Sequence, residues 1–489
     1  MPGRTLAPEN TQGTDRLEPR TKLVISLLLV SSFVVILNET IMGVALPRLM
    51  KDLDITASAG QWLTTAFMLT MAVVIPITGY LLKRFNTRPV FMAAMTLFSA
   101  GTLLAALSPG FGTLVLARVI QASGTAIMMP LLMTTVMTLV PLAKRGSTMG
   151  MISIVISVAP ALGPTISGVI LSALDWRWMF WLVLPISIGS LLLGAAGIKN
   201  VTTPTRLPID VLSVILSALA FGGLIYGLSS LGQAAEGGAS VPSWIPLTVG
   251  SAALVVFVLR QLRLQRTDAA LLDLRTFTSS GFTIPIVLMA VAMVAMFGTL
   301  ILLPIYLQTV LGLKPVEIGL MLLPGGLVMG LLGPVVGRIY DRRGPTVLVV
   351  PGAAIVSLVF WSMTLFTTTT HFGFVLAAHV GLSVGLALMF TPLFTSALGA
   401  VKPELYSHGS AIVGTVQQVA GAVGTALFIT VMAAVSASAS AAGDAPVAAL
   451  AEGIHAAFVC GAVISLLALA GTFLVRKPAE QPMPAAVAG

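Results

Sequence analysis

Two ionisable side chains stand out by position. Glu39 and Arg118 are the acid and the base that fall well inside long apolar runs, whereas Asp210 and Asp341 lie at run ends. An ionised group in hydrocarbon is costly unless it is paired or reached by water. Glu39 lies about 8 residues, roughly 12 Å, from the end of its run near Pro47. Arg118 lies about 7 residues, roughly 10 Å, from the start of its own run near Phe111. If the first run leads outward and the fourth inward, acid and base share a depth. One reading is a structural ion pair. The other is a protonatable carboxylate whose proton affinity responds to the arginine and to water. Proton binding and release of that kind is the chemistry coupled transport needs, because the charge must change between access states.

Other polar groups inside the runs are candidates for a substrate cavity. They are Asn38, beside Glu39, and Gln121, one helical turn from Arg118. Trp62, Gln308 and Gln417 join them, with Gln61 and Gln418 as further candidates. Phe67, Met68, Met128 and Met129 could supply soft apolar walls. Each of these side chains is equally at home in plain helix packing.

Catalysis and metal binding find little footing. There is no HExxH, and His371, His379, His408 and His455 are scattered without ligand spacing. The single cysteine, Cys460, excludes a multi-cysteine metal site and an internal disulfide framework. No GxxxxGK[ST] loop is present to bind ATP. The sequence reads as a non-enzyme, with no cofactor and no metal.

The elements that must hold these residues follow from composition. Of 489 residues, 57% are hydrophobic and only 9% are charged. A soluble domain carries about 25% charged residues, so this chain has its surplus apolar surface in lipid. Mean hydropathy is +1.02. Apolar runs of about 20 residues call for helices and not barrel strands. They fall near 23–47, 59–82, 89–107, 111–136, 148–172, 178–197, 210–231, 243–263, 281–303, 316–337, 346–366, 372–396, 409–434 and 453–475. The expected fold is all-α and membrane-integral, with 14 spans.

An even count puts both termini on one side, and charge says which. With the N-terminus inside, the outer loops hold Arg48, Lys51, Arg177 and Lys314, and Arg118 lies within a span. The rest of the 26 lysines and arginines fall in inner segments. That bias places both termini in the cytoplasm. It also explains the net charge of +9 without a nucleic-acid partner. The lipid bilayer is the expected surrounding, and a functional monomer the expected unit.

Residues 1–22 read as a cytoplasmic tail, 23–200 as a six-helix bundle, and 201–267 as a linker with two extra spans. Residues 268–477 read as a second six-helix bundle, and 478–489 as a tail. The halves share a landmark. Gly79 with Lys83, Arg84 and Arg88 follows span 2; Gly337 with Asp341, Arg342, Arg343 and Gly344 follows span 10. Each sits after the second span of its half, as in an internal repeat. Span 5 carries Pro160, Gly163, Pro164 and Gly168 within a few residues. Small residues allow close helix approach, and the prolines favour a kink, so this stretch reads as a packing seam or a hinge between halves.

These motifs together resemble the major facilitator superfamily, in particular its fourteen-span drug:proton antiporters. Leu37, Asn38, Glu39 and Thr40, followed by Val44 to Pro47, resemble the first-span signature, most of all that of the lincomycin-resistance subgroup. Gly337, Asp341, Arg342 and Gly344 match the superfamily loop signature. Arg118, Gln121 and Gly124, with Pro130 beyond, resemble the fourth-span motif, whose arginine is associated with proton coupling. Gly163, Pro164 and Gly168 are similar to the exporters' fifth-span motif, and Asp175 to Phe180 to the start of span 6.

The resemblance implies a proton-coupled exporter of amphipathic or cationic drugs or antibiotics, driven by the proton gradient. The rival is an exporter of one metabolite on the same fold. Two departures stand against the family pattern. The first-span acid falls one residue late, a rotation of about 100° on a helix. In the first-half loop, Lys83 and Asn86 replace the expected acid and glycine, so an acid-dependent lock is expected at Asp341 alone.

Overall fold

A computed structural model describes residues 19–55, 57–198, 200, 209–235 and 241–475. The expected tails, apart from 19–22 at the first, lie outside the described residues, as do linker positions 201–208. Residues 19–22 are not tail but the opening of the first helix.

The first bundle comprises α1 (Pro19–Asp52), α2 (Ala57–Arg84), α3 (Thr87–Ala106), α4 (Phe111–Leu139), α5 (Arg145–Ala173) and α6 (Trp178–Gly197). Two extra spans follow. One is α7 (Val211–Ser217), joined through a π-helical turn at Ala218–Gly222 to α8 (Gly223–Ala235); the other is α9 (Trp244–Leu264). The second bundle is α10 (Ser280–Ile305), α11 (Pro315–Arg343), α12 (Thr346–Met363), α13 (Phe372–Gly399), α14 (Tyr406–Ala441) and α15 (Pro446–Thr472). Among the described residues, fourteen helical spans are long and apolar enough to cross a membrane. Each meets one of the expected runs. Lipid offers no backbone hydrogen-bond partners, so every apolar run must close its own helix. Prolines such as Pro76, Pro130, Pro324, Pro334 and Pro392 are carried inside helices for the same reason. Residues 145–173 are helical throughout despite the proline–glycine stretch, which does not break the span.

The bundles repeat one packing scheme. Helix α1 packs on α5, α3 on α4 and α6, and α2 on α4. Helix α10 packs on α14, α12 on α13 and α15, and α11 on α13 in the same way. Two seams join the halves, α5 with α11 and α2 with α14. The α5–α11 seam is a glycine contact. A Cβ on Gly150 would collide with the Gly333 carbonyl oxygen, and one on Gly146 would lie 2.6 Å from that of Gly337. Higher up, Gly330 faces Val158 and Gly326 faces Ala161. At the other seam Gly79 faces Ala411 and His408, and Gly414 faces Ile75. These contacts run from the basic face, where Lys83, Arg145, Arg342 and Arg343 lie, to mid-span. The halves are thus sealed toward that face.

The spans of α7–α8 and α9 are peripheral: only 22% of the α9 window is buried in the protein. They are nevertheless fixed. Arg260 donates twice to Asp210, at 2.7 and 2.8 Å, holding the carboxyl of Asp210 below its usual range. Helix α8 packs on α14, and the π-helical turn packs on α2, so the extra spans cover the α2–α14 seam.

Gly168 does not belong to either seam, because nothing lies within 4 Å of a Cβ placed there. The seam glycines of α5 are Gly146 and Gly150 instead. Gly150→Leu should therefore force the halves apart and lower the melting temperature followed by fluorescence-detected size exclusion. Gly168→Leu should leave it unchanged. Equal melting of the two variants would refute the glycine seam.

Candidate functional site

Arg118 is 1% exposed, in the middle of the first bundle. Its Nη1 donates to Gln121 Oε1 at 2.6 Å, and Gln121 Nε2 donates to Thr102 Oγ1 at 2.8 Å. The guanidinium lies 4.1 Å from the Phe67 ring centroid. A cation over an aromatic face is worth up to about 2 kcal/mol when desolvated. Arg118 Nε is buried and has no partner among the described residues. Glycines allow this assembly. A Cβ on Gly101 would lie 2.5 Å from the Gln121 nitrogen, and one on Gly124 would meet the Ala94 carbonyl oxygen. Helix α3 therefore rests directly on α4, and Thr102 reaches Gln121.

Glu39 is within electrostatic reach of Arg118. The two do not form a direct ion pair among the described residues, where the ion pairs found involve other groups. Glu39 keeps partial exposure, unlike Arg118. Its helix is seated by Gly163, where any Cβ would run into Thr40 Oγ1. So α1 presses on α5 at the residue next to the acid. Glu39 is thus a half-buried carboxylate near a fully buried guanidinium.

The other candidates scatter. Asn38 is 1% exposed with Nδ2 unpartnered among the described residues. Gln121 is fully buried and orients Arg118, so it is not an open cavity wall. Trp62 stacks on Tyr226 of α8 at 6.0 Å, which places it against the extra spans. Gln308 is exposed in the π-helical turn Tyr306–Val310 that ends α10. Gln417 is half-buried on α14, and its neighbour Gln418 donates to Met71 Sδ across the seam at 3.7 Å. Met128 is wholly buried, and Phe67 is the platform beneath Arg118. The side chains of Gln61 and Pro164 lie outside the described residues.

The loop residues divide more sharply. Asp341 accepts from the backbone N–H groups of Gly146 at 2.7 Å and Ser147 at 2.9 Å. It caps the first turn of α5 from the opposite half, where the helix dipole favours an anion. Gly337 permits the approach, and Gly344 ends α11 at φ +82°, a conformation glycine adopts without strain. Arg342 points to solvent. Arg84 lies 6.0 Å from the Tyr80 ring and 5.8 Å from that of Phe85.

Sequence reasoning missed Thr102 and the hydroxyl pairs that tie the halves. Thr134 donates to Ser410 at 3.1 Å, and Ser153 meets Thr391 at 2.6 Å. These pairs link α4 to α14 and α5 to α13, mirror images in the repeat. Lone hydroxyls on apolar helices carry no spacing signal that could have singled them out.

The family model described as Major Facilitator Superfamily matches residues 28–425. The chain belongs to that superfamily. A curated relative within it is the lincomycin resistance protein LmrB of Listeria monocytogenes, 41% identical over 459 residues, covering 93% of this chain and 96% of the relative. The multidrug resistance protein B homolog of Mycobacterium tuberculosis is 28% identical over 417 residues, covering 84% and 76%. The human organic anion transporter MFSD10 (TETRAN) has the same fold, with a TM-score of 0.64 at 15% identity over 94% of this chain and 100% of that one. Two six-helix bundles plus two extra spans are thus a major facilitator fold in its fourteen-span form.

In this superfamily member the Arg118 network is a single unit. Gln121→Leu removes the partner of Arg118 Nη1, while Thr102 keeps its hydrogen bond to the Phe98 carbonyl oxygen. A buried group left unpaired costs about 1–3 kcal/mol, more when it is charged. The variant should melt well below the parent in detergent, while Gln418→Leu, which loses only a weak sulfur contact, should not.

Proposed function

We propose that this transporter is a proton-coupled antiporter that exports amphipathic or cationic drugs, antibiotics among them, across the cytoplasmic membrane. The basic face is the cytoplasmic one, and both termini lie on it. The observation that carries the reading is the half-buried Glu39 within reach of the buried Arg118. The names of the relatives, lincomycin resistance and multidrug resistance, support the class of cargo.

The cycle follows from charge. With the halves sealed on the basic face, Glu39 meets the outer cavity and takes a proton there. Neutral Glu39 no longer attracts a cationic guest, so drug leaves. Rocking of the bundles then turns the site inward. The proton is lost to the cytoplasm, and the restored carboxylate receives the next drug. Proton and drug compete for one negative charge, so each turn moves them in opposite directions. Arg118 stays charged throughout and keeps the proton of Glu39 labile. No bound cofactor is required, because the proton gradient supplies the driving force. The chain works as a monomer.

Drug-dependent proton release in energised inside-out vesicles tests this. A panel of lincosamides and lipophilic cations should release protons from the wild type, and Glu39→Gln should bring the signal to background. Equal exchange by both proteins would remove Glu39 from the mechanism. Silence of the whole panel in folded wild type would favour a single-metabolite exporter.

A further inference from the structure

The two seams between the halves are not closed in the same way. At α5–α11, the carboxylate of Asp341 caps the first turn of α5 across the interface. In the repeat, Lys83 of α2 stands where Asp341 stands in α11. It is a cation beside the first turn of α14, the positive end of that helix. This is the wrong sign for a lock. The α2–α14 seam is closed here all the same, though less tightly than its counterpart: a Cβ on Gly79 would touch Ala411 and His408 at 3.2 and 3.3 Å, where one on Gly150 would collide with the facing backbone.

The segment that follows α9 lies at this place. It leaves the helix through Asp268, whose φ of +53° turns the chain back. Ala270, Leu271 and Leu272 are buried, at 5%, 1% and 3% exposure. Gln261, itself fully buried, accepts from the Leu271 and Leu272 N–H groups at 2.8 and 3.3 Å. Its Nε2 donates to Ser213 at 2.8 Å, and Ser213 donates to Asp210. The segment is thereby tied to both extra spans. Asp273 is 1% exposed. Arg275 holds it through Nε at 3.0 Å and through its backbone N–H, and also bonds Asp268. Arg275 binds two carboxylates, so the three groups together carry one negative charge.

That charge meets the first turn of α14. His408 is 1% exposed and near the Leu271 backbone, with Lys83, Asp273 and Arg275 as the charged groups in reach. Lys83 is also in reach of Asp268. Tyr406, in the same turn of α14, receives a hydrogen bond from Arg145 of the first half at 3.2 Å.

We propose that residues 268–275 are a latch that shuts the cytoplasmic end of the α2–α14 seam, with Asp273 and Asp268 supplying the negative charge that Lys83 does not. The extra spans then act mechanically, anchoring a third piece that must release before the transporter opens inward. Asp273, Arg275 and His408 are positioning residues that touch neither proton nor drug. The inference rests on the two halves rocking as proposed above.

The test reads the seam itself and needs no drug. In a Cys460→Ser background, Ala411→Cys places a reporter at a fully buried position of α14 that faces Gly79 across the seam. A membrane-impermeant maleimide added to inside-out vesicles reports how often the seam opens. Asp341→Asn, which removes the lock of the other seam, is the control for rocking. Asp273→Asn should raise the labelling rate at least about fivefold, as loss of a charged contact in a two-state equilibrium does. Adding Lys83→Asp should bring the rate back to within about twofold of the parent, because the acid now stands where the repeat expects it. A merely structural loss would not be restored from another helix. If Asp273→Asn misfolds, Asp268→Asn, which removes the other carboxylate of the latch, must raise labelling instead. Raised labelling in Asp341→Asn with none in the latch variant overturns the latch and leaves the rocking reading intact. A failure of Lys83→Asp to restore closure also overturns it. Unchanged labelling in both single variants overturns rocking and latch together.

Discussion

A permanent cation held in a hydrocarbon slab constrains much of the first bundle. Arg118 cannot shed its charge, and burying an uncompensated charge costs several kcal/mol. Its surroundings are arranged around that fact. Phe67 offers a ring face, Gln121 an oxygen, Thr102 a brace for Gln121, and Glu39 a nearby negative charge. Gly101 and Gly124 let α3 sit close enough for Thr102 to reach, and Gly163 seats α1 so that Glu39 comes within range. Glu39 is the one member of this set that keeps partial exposure.

The seams answer a different demand. A transporter must hold its halves together on one face and let them part later. Backbone contact through Gly146, Gly150, Gly333 and Gly337 provides close packing with no side chains to disentangle. Polar ties near the same face, among the described residues, include Asp341 on two N–H groups, Arg145 on the Tyr406 hydroxyl, and two hydroxyl pairs. The second seam has neither that backbone contact nor the acid: Gly79 and Gly414 face side chains, and the carboxylates of the segment after α9 lie near its end.

This difference gives the extra spans a place in the fold. They face lipid broadly, as the exposed Val255 and Leu259 show. Their polar groups nonetheless converge on one edge: Asp210 with Arg260, and Ser213 with Gln261. A span that served only as a lipid-facing ornament would have no need of that network at its basic end.

The 14 spans, the basic face and the depth of Glu39 and Arg118 were all legible in the sequence. Each depends on how far a residue lies along one helix, and in lipid the helix is forced by the backbone itself. The reach of Asp341 across the halves was legible as a motif, since a whole loop pattern carried it. What the sequence could not tell was direction around each helix axis and which helices meet. Gln121 turned inward to Arg118, Trp62 turned to the extra spans, and Gly168 met nothing, though all three share the run pattern of cavity or seam residues. The pairing of Thr134 with Ser410, and the arrival of Asp273 beside His408, join residues far apart in the chain. Such contacts are set by the packing of whole helices, which local periodicity along one chain segment does not encode.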